Sequence, residues 1–101
     1  MPIADNIIRK VAEDIGVSVD ELTVSGLLAL LREKRRKMML DRLEVLARYG
    51  ATSVEELEKK IEDGTVVEHP AWENLIVLEN LEAAIAIIDE DIKTIKHFTT
   101  E

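Results

Sequence analysis

The residue types best suited to metal chemistry lie near the C-terminus, where the run Asp89-Glu90-Asp91 precedes His97. Carboxylates and imidazoles bind metal ions, but consecutive residues of a helix point about 100° apart and cannot converge on one ion. Asp89 and Glu90 lie instead one helical turn from Lys93, the spacing of ordinary ion pairs. His69 is a single imidazole before a proline. We therefore predict no metal site and no cofactor.

A basic cluster offers a second kind of chemistry, because five of the 13 basic residues fall within six positions. Its strongest candidates for binding phosphate or an acidic protein surface are Arg32, Arg35, Arg36 and Lys37. The alternative is a solvated helix face whose cations pair with acidic residues of the last helix, among them Glu73, Glu79, Glu82 and Asp89. The cluster has no interleaved aromatic residue and the net charge is −8. The alternative is therefore favoured, and nucleic acid is not the expected partner.

Catalytic motifs are absent from the sequence: no Ser-His-Asp spacing, Gly-rich phosphate loop or HExxH pattern occurs. Acid–base catalysis by paired carboxylates needs at least one buried acid with a shifted pKa. Nearly every Asp and Glu falls in a helix cap or on a charged face, apart from Glu79 and Glu82. An active site assembled from several chains stays a third hypothesis, and we predict that the protein is not an enzyme.

The strongest pattern is an apolar row between residues 70 and 98, with members at alternating steps of three and four: Leu78, Leu81, Ile85, Ile88, Ile92 and Ile95. This is the a/d rhythm of a coiled coil. Further apolar residues widen the row: Ile76, Val77, Ala83, Ala84, Ala86 and Ile87. A helix that is apolar on most sides is buried on most sides, and a hairpin covers only one. We predict that the row is the interface with a second copy or another protein.

Composition limits the fold class, because 47% of the 101 residues are hydrophobic but only 3% are aromatic. A core of Leu, Ile, Val, Ala and Met suits helix-on-helix packing better than a β-sandwich. The chain has no cysteine, no apolar run of membrane-spanning length and no signal peptide at its start. We expect an all-α, cytoplasmic protein without a membrane partner. Its lack of glutamine and its many Glu, Lys and Ile residues are typical of a heat-adapted source.

Capping signals divide a single domain, residues 1–101, into an N-terminal helical arm, 1–25, and a helical hairpin, 26–101. The arm has a helix over 4–15 ended by Gly16, a capping box from Ser18 to Glu21, and a break or bend at Ser25-Gly26. The hairpin has a helix over 27–49, a short crossing helix from Ser53 to Gly64 and a final helix from Pro70. We predict a long antiparallel hairpin that assembles as an oligomeric helical bundle.

One family resemblance covers about residues 30–85, where a long charged helix is followed by Tyr49-Gly50, Ser53-Val54-Glu55-Glu56-Leu57-Glu58, Ile61 and Glu68-His69-Pro70-Ala71-Trp72-Glu73. This succession resembles small, uncharacterised helical proteins of archaea and bacteria, several of them antitoxin-like partners of a neighbouring toxin. The resemblance implies a toxin-like partner and supplies no catalytic residue. Residues 11–22 are also similar to the closing helices of phage-repressor helix-turn-helix domains. Because no recognition helix precedes them, we interpret this as a shared capping pattern.

These patterns predict a non-enzymatic, oligomeric helical interaction module, antitoxin-like, which sequesters a protein partner. It would associate with itself as a dimer or a larger oligomer, and a toxin-like protein would be the other partner. The alternative is a nucleic-acid-associated regulator that uses the segment from Arg32 to Lys37.

Overall fold

A computed structural model describes residues 4–99 of the chain, so residues 1–3 and 100–101 of the predicted domain lie outside the described part. This described part contains four helices: α1 (Asp5–Ile15), α2 (Val19–Arg48), α3 (Val54–Glu62) and α4 (Glu68–Thr99). The described residues contain no β-strand. The all-α prediction is therefore confirmed.

The two long helices, α2 and α4, form an antiparallel hairpin whose register is fixed by polar contacts between them. Arg35 pairs with Asp89, and seven residues further along α2 the Arg42 Nε donates to Glu82 Oε2 over 2.9 Å. Residue numbers rise on α2 as they fall on α4, with the same step of seven. A residue numbered i on α2 therefore lies beside the residue numbered about 124 − i on α4. The predicted hairpin is confirmed.

The closed end of the hairpin holds the main core, where α3 packs on α4. Its buried residues come from α2, α3, α4 and the connection between α2 and α3: Val45, Leu46, Ala51, Val54, Leu57, Ile61, Ala71, Leu75 and Leu78. The Ser53 hydroxyl accepts from the Glu56 amide at 3.0 Å, as the capping box predicts. The Glu56 carboxylate accepts instead from the Thr52 amide at 3.1 Å, one residue earlier than the motif requires. The short crossing helix lies where the sequence predicts it.

The start of α4 follows the rule for residues before proline, because His69 has extended backbone angles, φ −107° and ψ 130°. Pro70 is also non-helical, with φ −90° and ψ 15°, so the regular helix runs from Ala71 onwards, one residue later than predicted.

The predicted break at Ser25-Gly26 is wrong, because α2 runs through both residues without interruption. In the register of the hairpin Ser25 lies beside Thr99, the last described residue of α4. A break there would leave the end of α4 without a neighbour. Glycine inside a helix costs about 1 kcal/mol relative to alanine, which packing along two more turns readily offsets. The predicted boundary between arm and hairpin therefore falls inside a helix.

Helix α1 packs on the first turns of α2. The connection is tight: Gly16 takes left-handed angles, φ 75°, and the Val17 amide donates to the Ala12 carbonyl at 2.9 Å. Ala12 is buried, whereas Ile7, Val11 and Ile15 are exposed. The apolar face of α1 is thus wider than the part that α2 covers.

Candidate functional site

The apolar row predicted as an interface lies largely inside the hairpin. Leu78, Ile85 and Ile88 are buried, and the other three members, Leu81, Ile92 and Ile95, are half-buried. They face α2, which is almost as long as α4 and runs beside it. The row as a whole is therefore not the open surface that the sequence predicts. Helix α2 covers the apolar row, because α2 belongs to the same chain and the contact forms without a second molecule.

The open apolar surface lies on the side of α4 away from α2. Ile76 is 55% exposed and Ile87 is 64% exposed, and Val77 is exposed between them. With Ala83 and Ala84 these residues form one surface, which we name the open side of α4: Ile76, Val77, Ala83, Ala84 and Ile87. Soluble monomers rarely expose contiguous apolar patches of this kind without a function. The sequence signal for it was the apolar character outside the main row.

Trp72 continues the open side of α4 towards the closed end of the hairpin. Trp72 is 37% exposed, and its indole Nε1 donates to the Glu68 carboxylate at 2.9 Å. An exposed tryptophan with its polar atom satisfied is a typical anchor of a protein interface.

The basic cluster divides into paired and unpaired cations. Arg35 reaches Asp89 on α4, and this hydrogen bond raises the pKa of Arg35. Arg36 pairs with Glu33 within α2, with Arg36 Nη2 2.7 Å from Glu33 Oε1. That hydrogen bond lowers the pKa of Glu33 and raises the pKa of Arg36. The predicted pairing with acids of the last helix is confirmed at Asp89.

The other two candidates, Arg32 and Lys37, form no ion pair with any residue between 4 and 99. Arg32 borders a shallow depression on α2, together with Arg36, Met39 and Leu40. Lys34, the fifth basic residue of the cluster, also forms no ion pair in this range, and Lys37 lies near Glu33, whose pKa is lowered by Arg36 and then by Lys37. The cluster therefore presents unpaired cations beside a small apolar surface.

A groove of about 390 Å³ follows the ion-paired side of the hairpin. Met39, Ile85 and Ala86 line it together with Arg42, Glu82 and Asp89, and both acids pair with arginines of α2. Because each charge at its edge already has a partner, the groove offers no free group to hold a ligand.

Residues 4–99 contain no group of side chains placed to hold a metal ion. No three His, Asp or Glu side chains in this range come together as a metal site would require. His69 Nδ1 lies 3.0 Å from Glu73 Oε1, with both side chains exposed. The pKa of Glu73 is lowered most by a hydrogen bond from its own backbone and next by the hydrogen bond with the His69 side chain. This exposed pair has the geometry of a surface contact.

A second apolar depression, which the sequence did not reveal, lies where α1 meets α2. Its walls are Ile8, Leu22, Thr23, Gly26, Leu27 and Leu30. Leu27 and Leu30 are exposed in it. It could not be found from the sequence because the predicted break at Gly26 separated its walls. We name it the α1/α2 groove.

No helix within residues 4–99 combines the length and the apolar character that crossing a membrane requires.

Residues 1–99 match the model of a family described as the Uncharacterized protein MJ0235 family. No curated protein and no solved structure matches the chain. The match confirms the resemblance to small uncharacterised proteins and extends it to the segment before residue 30.

Proposed function

The chain therefore belongs to the MJ0235 family, and we propose that it is a non-enzymatic helical module that self-associates and sequesters a protein partner. One observation carries the proposal: α4 is apolar on two sides and α2 covers only one of them. Burial of a Val or Ile side chain contributes about 1.5–3 kcal/mol. Ile76, Val77 and Ile87 would each contribute this free energy to binding when another protein covers them.

The charges around the open side of α4 indicate the chemistry of the partner. Helix α4 has seven acidic and two basic residues, so its apolar surface is bordered by negative charge. A partner with an apolar groove and a basic rim fits this helix best. The antitoxin-like role is the finer form of the proposal, with a toxin-like protein as the partner. It is supported by the resemblance of the segment from Tyr49 to Glu73.

The proposal is tested by placing charge on the open side of α4. The double variant Val77→Asp, Ile87→Asp should lower the mass of the wild-type assembly in sedimentation velocity at micromolar concentration. It should also lose the complex with the product of the neighbouring gene. Leu43→Asp is the matched control, because Leu43 is exposed on α2 away from this surface. A wild type that sediments as a monomer and binds no such product would refute the proposal.

The alternative, a nucleic-acid-associated regulator, is favoured by one observation: Arg32, Lys34 and Lys37 are exposed and form no ion pair among residues 4–99. Two other observations oppose it, the pairing of Arg35 and Arg36 with acids and the net charge of −8. A helical-bundle enzyme is the third candidate, and no group of residues in the described part of the chain favours it.

A further inference from the structure

The hairpin has an open face on the side opposite its ion pairs. On α2 this face carries Leu27, Leu30, Lys34 and Lys37, and on α4 it carries Val77, Ala84, Asp91 and Ile95. Within each set the residues are three, four or seven apart, so they share one side of their helix. Arg35, Arg42 and their acidic partners lie on the other side of the contact between α2 and α4. We name this surface the back face.

We propose that the back face is covered by a second copy of the chain, so that two hairpins form a four-helix bundle with α2 of each copy along α4 of the other. This inference rests on the self-association in the proposed function and names its geometry. Covering the back face would complete the burial of Leu81 and Ile95, which the hairpin leaves half-buried. It would also cover Val77, at one edge of the open side of α4.

Charge selects this arrangement over the other symmetric one. Two hairpins related by a two-fold axis can stack face to face with like helices together or with α2 on α4. Helix α2 has seven basic and five acidic residues, whereas α4 has two basic and seven acidic residues. Like helices together would place acid against acid along α4. Stacking α2 on α4 of the second copy joins helices of opposite net charge.

The register of the hairpin then predicts individual contacts. Rotation about a two-fold axis parallel to the helices does not change the position of any residue along that axis. Residue i of α2 therefore lies beside residue 124 − i, approximately, of α4 in the second copy as well as in its own chain. Lys34 would lie beside Asp91 of the second copy, and Leu30 beside Ile95 of the second copy. Neither Lys34 nor Asp91 has an ion-pair partner among residues 4–99.

The same register places the last turn of α4 over the α1/α2 groove of the second copy. Phe98 is 75% exposed, although large aromatic side chains are usually buried. At the position of Phe98 along the helix axis, the second copy has Gly26, Leu27 and the α1/α2 groove, whose volume is about 400 Å³. Phe98 would fill this groove against Ile8. The arrangement thus gives α1 a role, since α1 forms one wall of the groove that α4 of the second copy enters.

The size of the back face is sufficient for a stable dimer. The described part of the chain measures 60 × 30 × 20 Å. Specific protein interfaces bury about 800 Å² on each partner, which is less than half of one 60 × 30 Å face.

A charge exchange tests the contact between Lys34 and Asp91. Lys34→Glu and Asp91→Lys should each raise the dimer Kd about tenfold, because each places two pairs of like charges at the symmetric interface. The double variant should return the Kd to within about threefold of the wild type. Neither residue forms an ion pair within the described chain, so both single variants should keep the wild-type circular dichroism. A double variant as weak as the single variants would overturn the arrangement.

A cross-link tests the register directly, since the chain has no cysteine. Leu30→Cys and Ile95→Cys proteins, mixed under a glutathione redox buffer, can form a mixed disulfide only between copies. We expect it to form at least tenfold faster than in a control mixture of Leu30→Cys with Ala86→Cys, whose residue lies on the ion-paired side. Equal rates would overturn the arrangement. If the wild type assembles but neither test succeeds, only this geometry falls. A monomeric wild type would instead remove the self-association itself.

Discussion

Replacing Gly26 with alanine should stabilise the protein, although the sequence indicates a helix break at that position. Gly26 lies inside α2 with ordinary helical angles, and a methyl group added there would meet no atom within 4 Å. The gain is therefore the intrinsic difference between the two residues in a helix, about 0.5–1 kcal/mol. In a domain of this size that gain raises Tm by roughly 2–8 °C.

The assay is urea unfolding followed by circular dichroism, at one protein concentration for all variants because self-association stabilises by mass action. Gly50→Ala is the matched control. Gly50 has φ 62°, where the same methyl group costs about 1–2 kcal/mol although it also meets no atom. Opposite signs for the two variants support a continuous α2. A loss of stability or of helix content in Gly26→Ala would show that the helix breaks at this residue.

Three further outcomes are expected. Leu57→Ala, at a position that is 0% exposed, should cost about 2–5 kcal/mol in urea unfolding, and Leu43→Ala, at a position 54% exposed, should cost less than about 0.5 kcal/mol; similar values would place α3 elsewhere. Hydrogen bonds from Thr52 lower the pKa of Glu56 below 4.5 in the folded state. The stability that this carboxylate contributes is therefore present above pH 4.5 and is lost as the pH falls through the lowered pKa. Glu56→Gln should therefore flatten the pH dependence of stability on the acidic side, and an unchanged dependence would contradict this. Wild type and the Arg32→Glu, Lys37→Glu variant should both elute from immobilised DNA and RNA at low salt; retention lost only in the variant would favour the nucleic-acid alternative.

The sequence predicts helix ends better than helix contacts, because end signals act over three or four residues. Ser18 and Ser53 cap α2 and α3, and each hydroxyl accepts from an amide three residues later. Gly16, Gly50 and Gly64 all take positive φ angles where a helix ends. Gly26 does not, because the packing of the rest of α2 decides its conformation. No local signal distinguishes a glycine that ends a helix from one that a long neighbour holds inside it.

The apolar row of α4 shows what a sequence pattern leaves open. A heptad row indicates that a surface is buried, but it does not say by which chain. In the register of the hairpin, residues 29–46 of α2 lie beside the row from Leu78 to Ile95, so α2 covers the row whether or not the helix continues before Gly26. The row is therefore covered within the chain, and the partner that we propose would meet a different side of α4. The proposed partner rests instead on Ile76, Val77 and Ile87, which α2 leaves exposed.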